Sequence, residues 1–232
     1  MIGGPREPYI MLMASLPSLG PLLGSQTPAI SATRLEARLG LLTPEDRATL
    51  EALRSGFAWS RLKLGEDDAT FLDRIDGLMA RLDSPSLKAV LHDRLQLRTI
   101  IAALRRRAAG EEAPAADLRW GYGGIVETIR NNWSEPNFGL GRTFPWIAAA
   151  RAKLEAGDAM GLERLVLQAA WDSADRHGEG HLFDFEAVAL YFIRWALADR
   201  WARYDVAIAT RRFEALLDAA TADALTSIES PP

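Results

Sequence analysis

The sequence predicts an all-α fold, and three observations carry that prediction. Helix start and stop signals recur from Ser31 into the far C-terminal half. No stretch alternates apolar and polar residues for long enough to demand a sheet. The segments between breaks carry apolar residues at helical spacing, without a repeat at the usual solenoid periods. The expected architecture is a multi-helix domain of packed helical modules behind an irregular N-terminal segment.

The first stretch, to about Pro28, is punctuated by Pro17, Pro21, Pro28 and several glycines. Within it the apolar run Tyr9 to Leu16 fits either a strand or a helical turn, since periodicity does not separate the two. Ser31 to Leu39 reads as a short amphipathic helix stopped by Gly40. In Thr43-Pro44-Glu45-Asp46 a capping hydroxyl, a proline at the first helical position and two acids at the positive helix end mark the next start. That helix is expected to reach about Ser55.

Glu66 to Leu82 forms the following helix. Ser84-Pro85 opens a long one that stops near Gly110 to Pro114, the only internal linker candidate by composition. This break separates an N-terminal helical portion, residues 1–110, from a C-terminal one, residues 115–232, expected to pack as one compact unit. Next come a helix over Ile125 to Trp133, a loop over Ser134 to Arg142, and a helix opened by Thr143 and Pro145 and closed by Gly157. Asp158 is expected to cap a helix running to Arg176. HGEGH, His177 to His181, is a turn. Leu182 to Ala220 is long and helical, and the tail TSIESPP is expected to fray.

Bulk properties exclude several function classes. With 232 residues, of which 48% are hydrophobic, there is ample material for a core. A net charge of −4 argues against non-specific nucleic-acid binding, which needs a positive field. The absence of cysteine rules out disulfides and thiolate metal sites. Tyr9 to Leu16 makes a poor signal peptide. The run Ala187 to Ala198 is too short to span a bilayer and contains Arg194, so it is expected to be a buried core helix.

Three groups of residues invite a chemical reading. On the long helix, Arg94, Arg98 and Arg105 lie on one line with Leu87 and Ile101, flanked by further leucines. Such arginines must snorkel or meet carboxylates, and internal pairing with acids such as Asp184 or Glu186 is expected. The alternative is a docking stripe for an acidic partner.

His177, Glu179 and His181, with Asp184 and Glu186, suggest a metal site, but their spacing is not that of the HExxH motif. The preferred reading is a helix–helix turn without metal. The third group is Trp120 to Trp146, the most irregular stretch of the chain. Its GYGG lacks the Lys-Ser/Thr of a phosphate loop, so close backbone packing and positive-φ turns are expected instead. No serine sits in a GxSxG elbow and no catalytic set emerges. The segment is read as a shaped helix–loop–helix connection that fixes how the C-terminal helices pack, with partner contact as the alternative. The candidate partner interface comprises Arg94, Arg98, Arg105, Trp120, Tyr122, Trp133 and Phe138.

Four blocks carry a family resemblance: YIMLMASLP at Tyr9 to Pro17, RLEARLGLLTPEDR at Arg34 to Arg47, the irregular segment Trp120 to Trp146, and GEGHLFDFEAVALYFIRW at Gly178 to Trp195. Together they resemble a family of uncharacterised bacterial proteins associated with V/A-type ATPases. That family is in turn similar to the C subunit of those enzymes, called d in eukaryotes. The resemblance implies an all-α, non-catalytic component or accessory factor that couples the rotor shaft to the proton-carrying membrane ring. It implies central-stalk and ring subunits as partners, no cofactor, and a position at the cytoplasmic face of the membrane, attached only through the complex. The chain is distinctly shorter than the C/d subunit. The alternatives are a helical metal- or carboxylate-dependent enzyme, or an adaptor unrelated to the ATPase.

Overall fold

The computed structural model describes residues 7–24, 27–57 and 68–204, and the described residues are helical without strands. The helices are α1 (Glu7–Ser15), α2 (Ala32–Leu39), α3 (Pro44–Phe57), α4 (Asp68–Arg81), α5 (Pro85–Ala108), α6 (Ile125–Asn131), α7 (Ile147–Glu155) and α8 (Ala159–His177), followed by α9 over residues 185–204. The expected helix start at Glu66, the continuation from 205 to Ala220 and the TSIESPP tail lie outside the described residues. Tyr9 to Leu16, left open between strand and helix by its sequence, is helical as α1.

The caps follow the local chemistry. Ser31 accepts from the Arg34 N–H at 3.4 Å and caps α2. Thr43 accepts from the Asp46 N–H at 3.2 Å and returns its hydroxyl to the Asp46 carboxylate at 2.8 Å, so two polar groups at the start of α3 satisfy each other. Asp158 accepts from the Gly161 N–H at 2.7 Å and caps α8. That N–H, with the Lys153 ammonium, holds the Asp158 carboxyl below the ordinary carboxylate range.

Two starts differ from expectation. Thr143 to Trp146 form turns, and α7 begins only at Ile147. Residues 182–184 are likewise outside α9, because the Asp184 side chain accepts from the Ala187 N–H at 2.9 Å and so caps the helix.

Helix α5 is the axis of the molecule and packs against α3, α6, α7 and α8. Ser84 and Pro85 start it, Arg105 to Arg107 complement its negative end, and Gly110 at φ 80° ends it. Because α5 belongs to the N-terminal portion and α6 to α8 to the C-terminal one, the core runs continuously across the Gly110–Pro114 break. Arg119, beyond the break, also pairs with Asp73 and Asp76 of α4.

Helix α9 is the most deeply set element, with every residue from Ala187 to Ile193 buried. A helix apolar on all sides belongs inside the protein. Among the described residues no helix is long and apolar enough to cross a membrane.

Candidate functional site

The Trp120–Trp146 segment is a clasp. Phe138 is fully buried and has a φ of 53°, a conformation costly for a residue with a side chain unless its surroundings hold it. Its ring packs 5.5 Å from that of Trp133, and the Arg107 guanidinium sits 4.2 Å above it. The same guanidinium donates to the carbonyls of Trp133 (3.2 Å), Glu135 (2.5 Å) and Pro136 (2.7 Å). One arginine at the end of α5 thereby satisfies three loop carbonyls that have no helical partner.

Trp133 donates its indole N–H to the Glu111 carbonyl at 3.1 Å, which ties the loop to the linker. Trp120 is buried, with Arg106 5.8 Å from its ring. Tyr122 is half-buried, stacks edge-on to His92 and donates its backbone N–H to Thr99 Oγ1 at 2.9 Å.

Of the four aromatics in the expected interface, Trp120 and Phe138 lie in the core, while Trp133 and Tyr122 are half-buried, with the Trp133 indole N–H and the Tyr122 backbone N–H bonded within the chain.

The arginine line separates by depth. Arg94 is buried, and burial, with Arg200 and Arg98 nearby, pulls its pKa down to about 9 against the opposing pull of Glu163. Arg98 lies 3.9 Å over the Phe71 ring and pairs with Asp68 at 3.2 Å. Arg105 is exposed. The expected acids, Asp184 and Glu186, are not the partners. Asp184 bonds to His181, while Glu186 lies near enough to Tyr9 to help raise its pKa, after burial and Asp46.

The histidine cluster divides in two. His177 Nε2 faces the Asp93 carboxylate at 3.1 Å, where Ser173 Oγ (2.7 Å) and Arg176 (3.3 Å) also donate. His181 turns away to Ser86 Oγ (2.9 Å from Nε2) and Asp184 Oδ2 (2.8 Å from Nδ1). Glu179 is exposed. Of the five candidates, His181, Asp184 and Glu186 come together, each placing a potential ligand atom within 4.8 Å of the other two.

A cavity of about 490 Å3 lies between α5, α8 and the Thr143–Trp146 turn, lined by Val90, Asp93, Leu97, Phe144, Trp146 and His177 among others. It has the volume of a small-molecule site. Its Asp93 carboxylate is already engaged by three donors, which leaves the aromatic wall as its most available surface.

Ser86, Asp93 and Arg107 are the site residues that sequence reasoning missed. Each acts across 26 to 95 positions of the chain, and no local spacing announces such a contact.

No curated protein and no solved structure matches the chain. A family match covers residues 86–223, from the start of α5 through α9 and beyond. The chain belongs to the family described as protein of unknown function (DUF2764).

Proposed function

We propose that the protein is a non-catalytic, C/d-like component or accessory factor of a V/A-type rotary ATPase, coupling the rotor shaft to the membrane ring. One observation carries the reading. Three of the four sequence blocks that resemble the ATPase-associated family, Tyr9 to Pro17, Arg34 to Arg47 and Gly178 to Trp195, lie far apart along the chain and assemble into one unit of structure. The Tyr9 hydroxyl bonds to the Asp46 carboxylate, and Arg38 donates to the Ser15 carbonyl. Tyr191 donates to the Pro17 carbonyl at 2.8 Å. Arg54 pairs with Glu36 at 2.7 Å and lies 5.3 Å from the Phe192 ring.

Among the described residues six large hydrophobic side chains are exposed, and five belong to these three blocks: Ile10, Met11, Leu41, Leu182 and Phe183. Leu118 is the sixth. Exposed apolar side chains gathered on a shared structural unit favour a protein partner over solvent. Under this reading the docking face comprises the outer side of α1, the α2–α3 turn and the α8–α9 turn. The Trp120–Trp146 clasp supports the core behind it. The protein then sits at the cytoplasmic membrane face through the complex.

Size-exclusion chromatography of the purified chain with the central-stalk subunits of a V/A-type ATPase tests this. Co-elution is the expected result. A chain that elutes as a clean monomer beside both the stalk and the detergent-solubilised ring sinks the proposal.

A further inference from the structure

The geometry points to a binding site for one divalent transition-metal ion, such as Zn2+, formed by His181, Asp184 and Glu186. This site stands independently of the proposed ATPase role. Its three ligand atoms, an imidazole nitrogen and two carboxylate oxygens, lie within 4.8 Å of one another on half-buried side chains. An imidazole with two carboxylates suits zinc, manganese or cobalt rather than calcium or magnesium, which prefer oxygen alone.

The ligands are held from behind. Ser86 Oγ lies 2.9 Å from His181 Nε2, so an Nε2–H donated to Ser86 leaves the Nδ1 lone pair directed at Asp184. Histidine ligands are oriented in this way by a partner on the second ring nitrogen. Asp184 is anchored through its other oxygen, Oδ1, by the Ala187 N–H at 2.9 Å. Without the ion, Nδ1 and Oδ2, 2.8 Å apart, share a hydrogen bond. A tetrahedral ion with bonds near 2.0–2.2 Å separates its ligands by roughly 3.3 Å. Binding therefore needs that pair to open by at least about half an ångström and Glu186 to close in, with release of the bridging proton.

Two opposing considerations are outweighed. The N-termini of α5 and α9 both lie here, and each contributes roughly half a positive charge, against two full negative charges from Asp184 and Glu186. The site stays anionic by about one charge before the ion enters. Ser86, His181 and Asp184 also follow the hydrogen-bond order of a nucleophilic triad. The cavity of about 490 Å3, however, is lined by other residues and includes neither Ser86 nor His181. A nucleophile needs a seat for its substrate, and a metal ion does not.

The test is calorimetric titration of the full chain, stripped with a chelator, with Zn2+ alone. One equivalent is expected to bind, without competition from excess Ca2+. His181→Ala and Glu186→Gln are expected to weaken binding at least tenfold while helical circular dichroism stays at the wild-type level. Ser86→Ala, which leaves all three ligands in place, is expected to weaken it about tenfold. His177→Ala, directed at Asp93, is the control and should bind like the wild type. If His181→Ala folds poorly, the isosteric Glu186→Gln carries the test. No saturable Zn2+ binding, binding unchanged in Glu186→Gln, or an equal loss in His177→Ala overturns the proposal.

Discussion

Tyr191, in the middle of α9, donates its hydroxyl to the carbonyl of Pro17, 2.8 Å away and 174 positions earlier in the chain. This bond pins the N-terminal segment to the most buried helix of the protein. Removing it by Tyr191→Phe leaves the Pro17 carbonyl without its donor at little change of volume. The expected loss is about 1 kcal/mol in denaturant unfolding.

The same residue predicts a pH dependence. Burial raises the Tyr191 pKa from 10.0 to about 12, against the opposing pull of Arg194 and Arg38. A raised folded-state value means that the folded protein binds more protons than the unfolded chain between those two pH values. The stabilisation is therefore fully present below pH 10 and lost as pH rises towards 12. Denaturation midpoints followed from pH 9 to pH 11.5 should fall less steeply in Tyr191→Phe than in wild type.

Arg107 and Phe138 make the clasp a cooperative unit. Phe138→Ala removes a fully buried ring and should cost about 3–5 kcal/mol in urea unfolding. Arg107→Lys keeps the charge but loses the planar fork that reaches three carbonyls. It should cost about 1–3 kcal/mol. A double-mutant cycle between the two positions should show coupling, because the guanidinium covers the ring.

Gly121 tests close packing. A Cβ there would stand 2.6 Å from Thr99 Cγ2 and 3.0 Å from Val126 Cγ2. Thr99 cannot swing aside freely, since its hydroxyl donates to the Leu95 carbonyl and accepts from the Tyr122 N–H. Gly121→Ala should destabilise by about 1–3 kcal/mol through overpacking, read as a lowered thermal midpoint.

Arg94→Met exchanges a buried guanidinium, held at a lowered pKa of about 9, for an apolar chain of similar length. Removing one member of a buried charge network leaves its partners uncompensated, which costs about 3–5 kcal/mol. The variant should therefore unfold at a lower denaturant concentration than wild type. A midpoint at or above the wild-type value would show that the guanidinium contributes nothing to stability.

Much of the fold was legible because helix ends are local chemistry. Thr43, Ser84-Pro85 and Asp158 mark their helices within four residues, and the structure caps helices there. The apolar run at Ala187 announced a buried helix for the same reason. The site was less legible because depth is not local. On a helical wheel Arg94, Arg98 and Arg105 are equivalent. Only the packing of α8 and α4 against α5 buries the first and gives the second a ring and a carboxylate, while the third stays in water.

Trp120 and Phe138 are legible only in part. Aromatics in an irregular loop suit a docking surface and a clasp equally well, and the contact that makes Phe138 part of a clasp comes from Arg107, 26 residues upstream of Trp133. His177 and His181 sit four positions apart, yet the turn sends them to Asp93 and to Ser86 respectively.

On the proposed function, the surface built by the three converging blocks docks on a V/A-type ATPase. Affinity purification of the tagged chain from native membranes, beside a Met11→Asp/Phe183→Asp double variant, tests it most directly. Both side chains are exposed, so the variant should fold normally. The wild-type chain is predicted to bring down central-stalk and ring subunits in fixed ratio, and the variant to lose them. A wild-type chain recovered without those subunits, or a variant that retains them in full, would contradict the account.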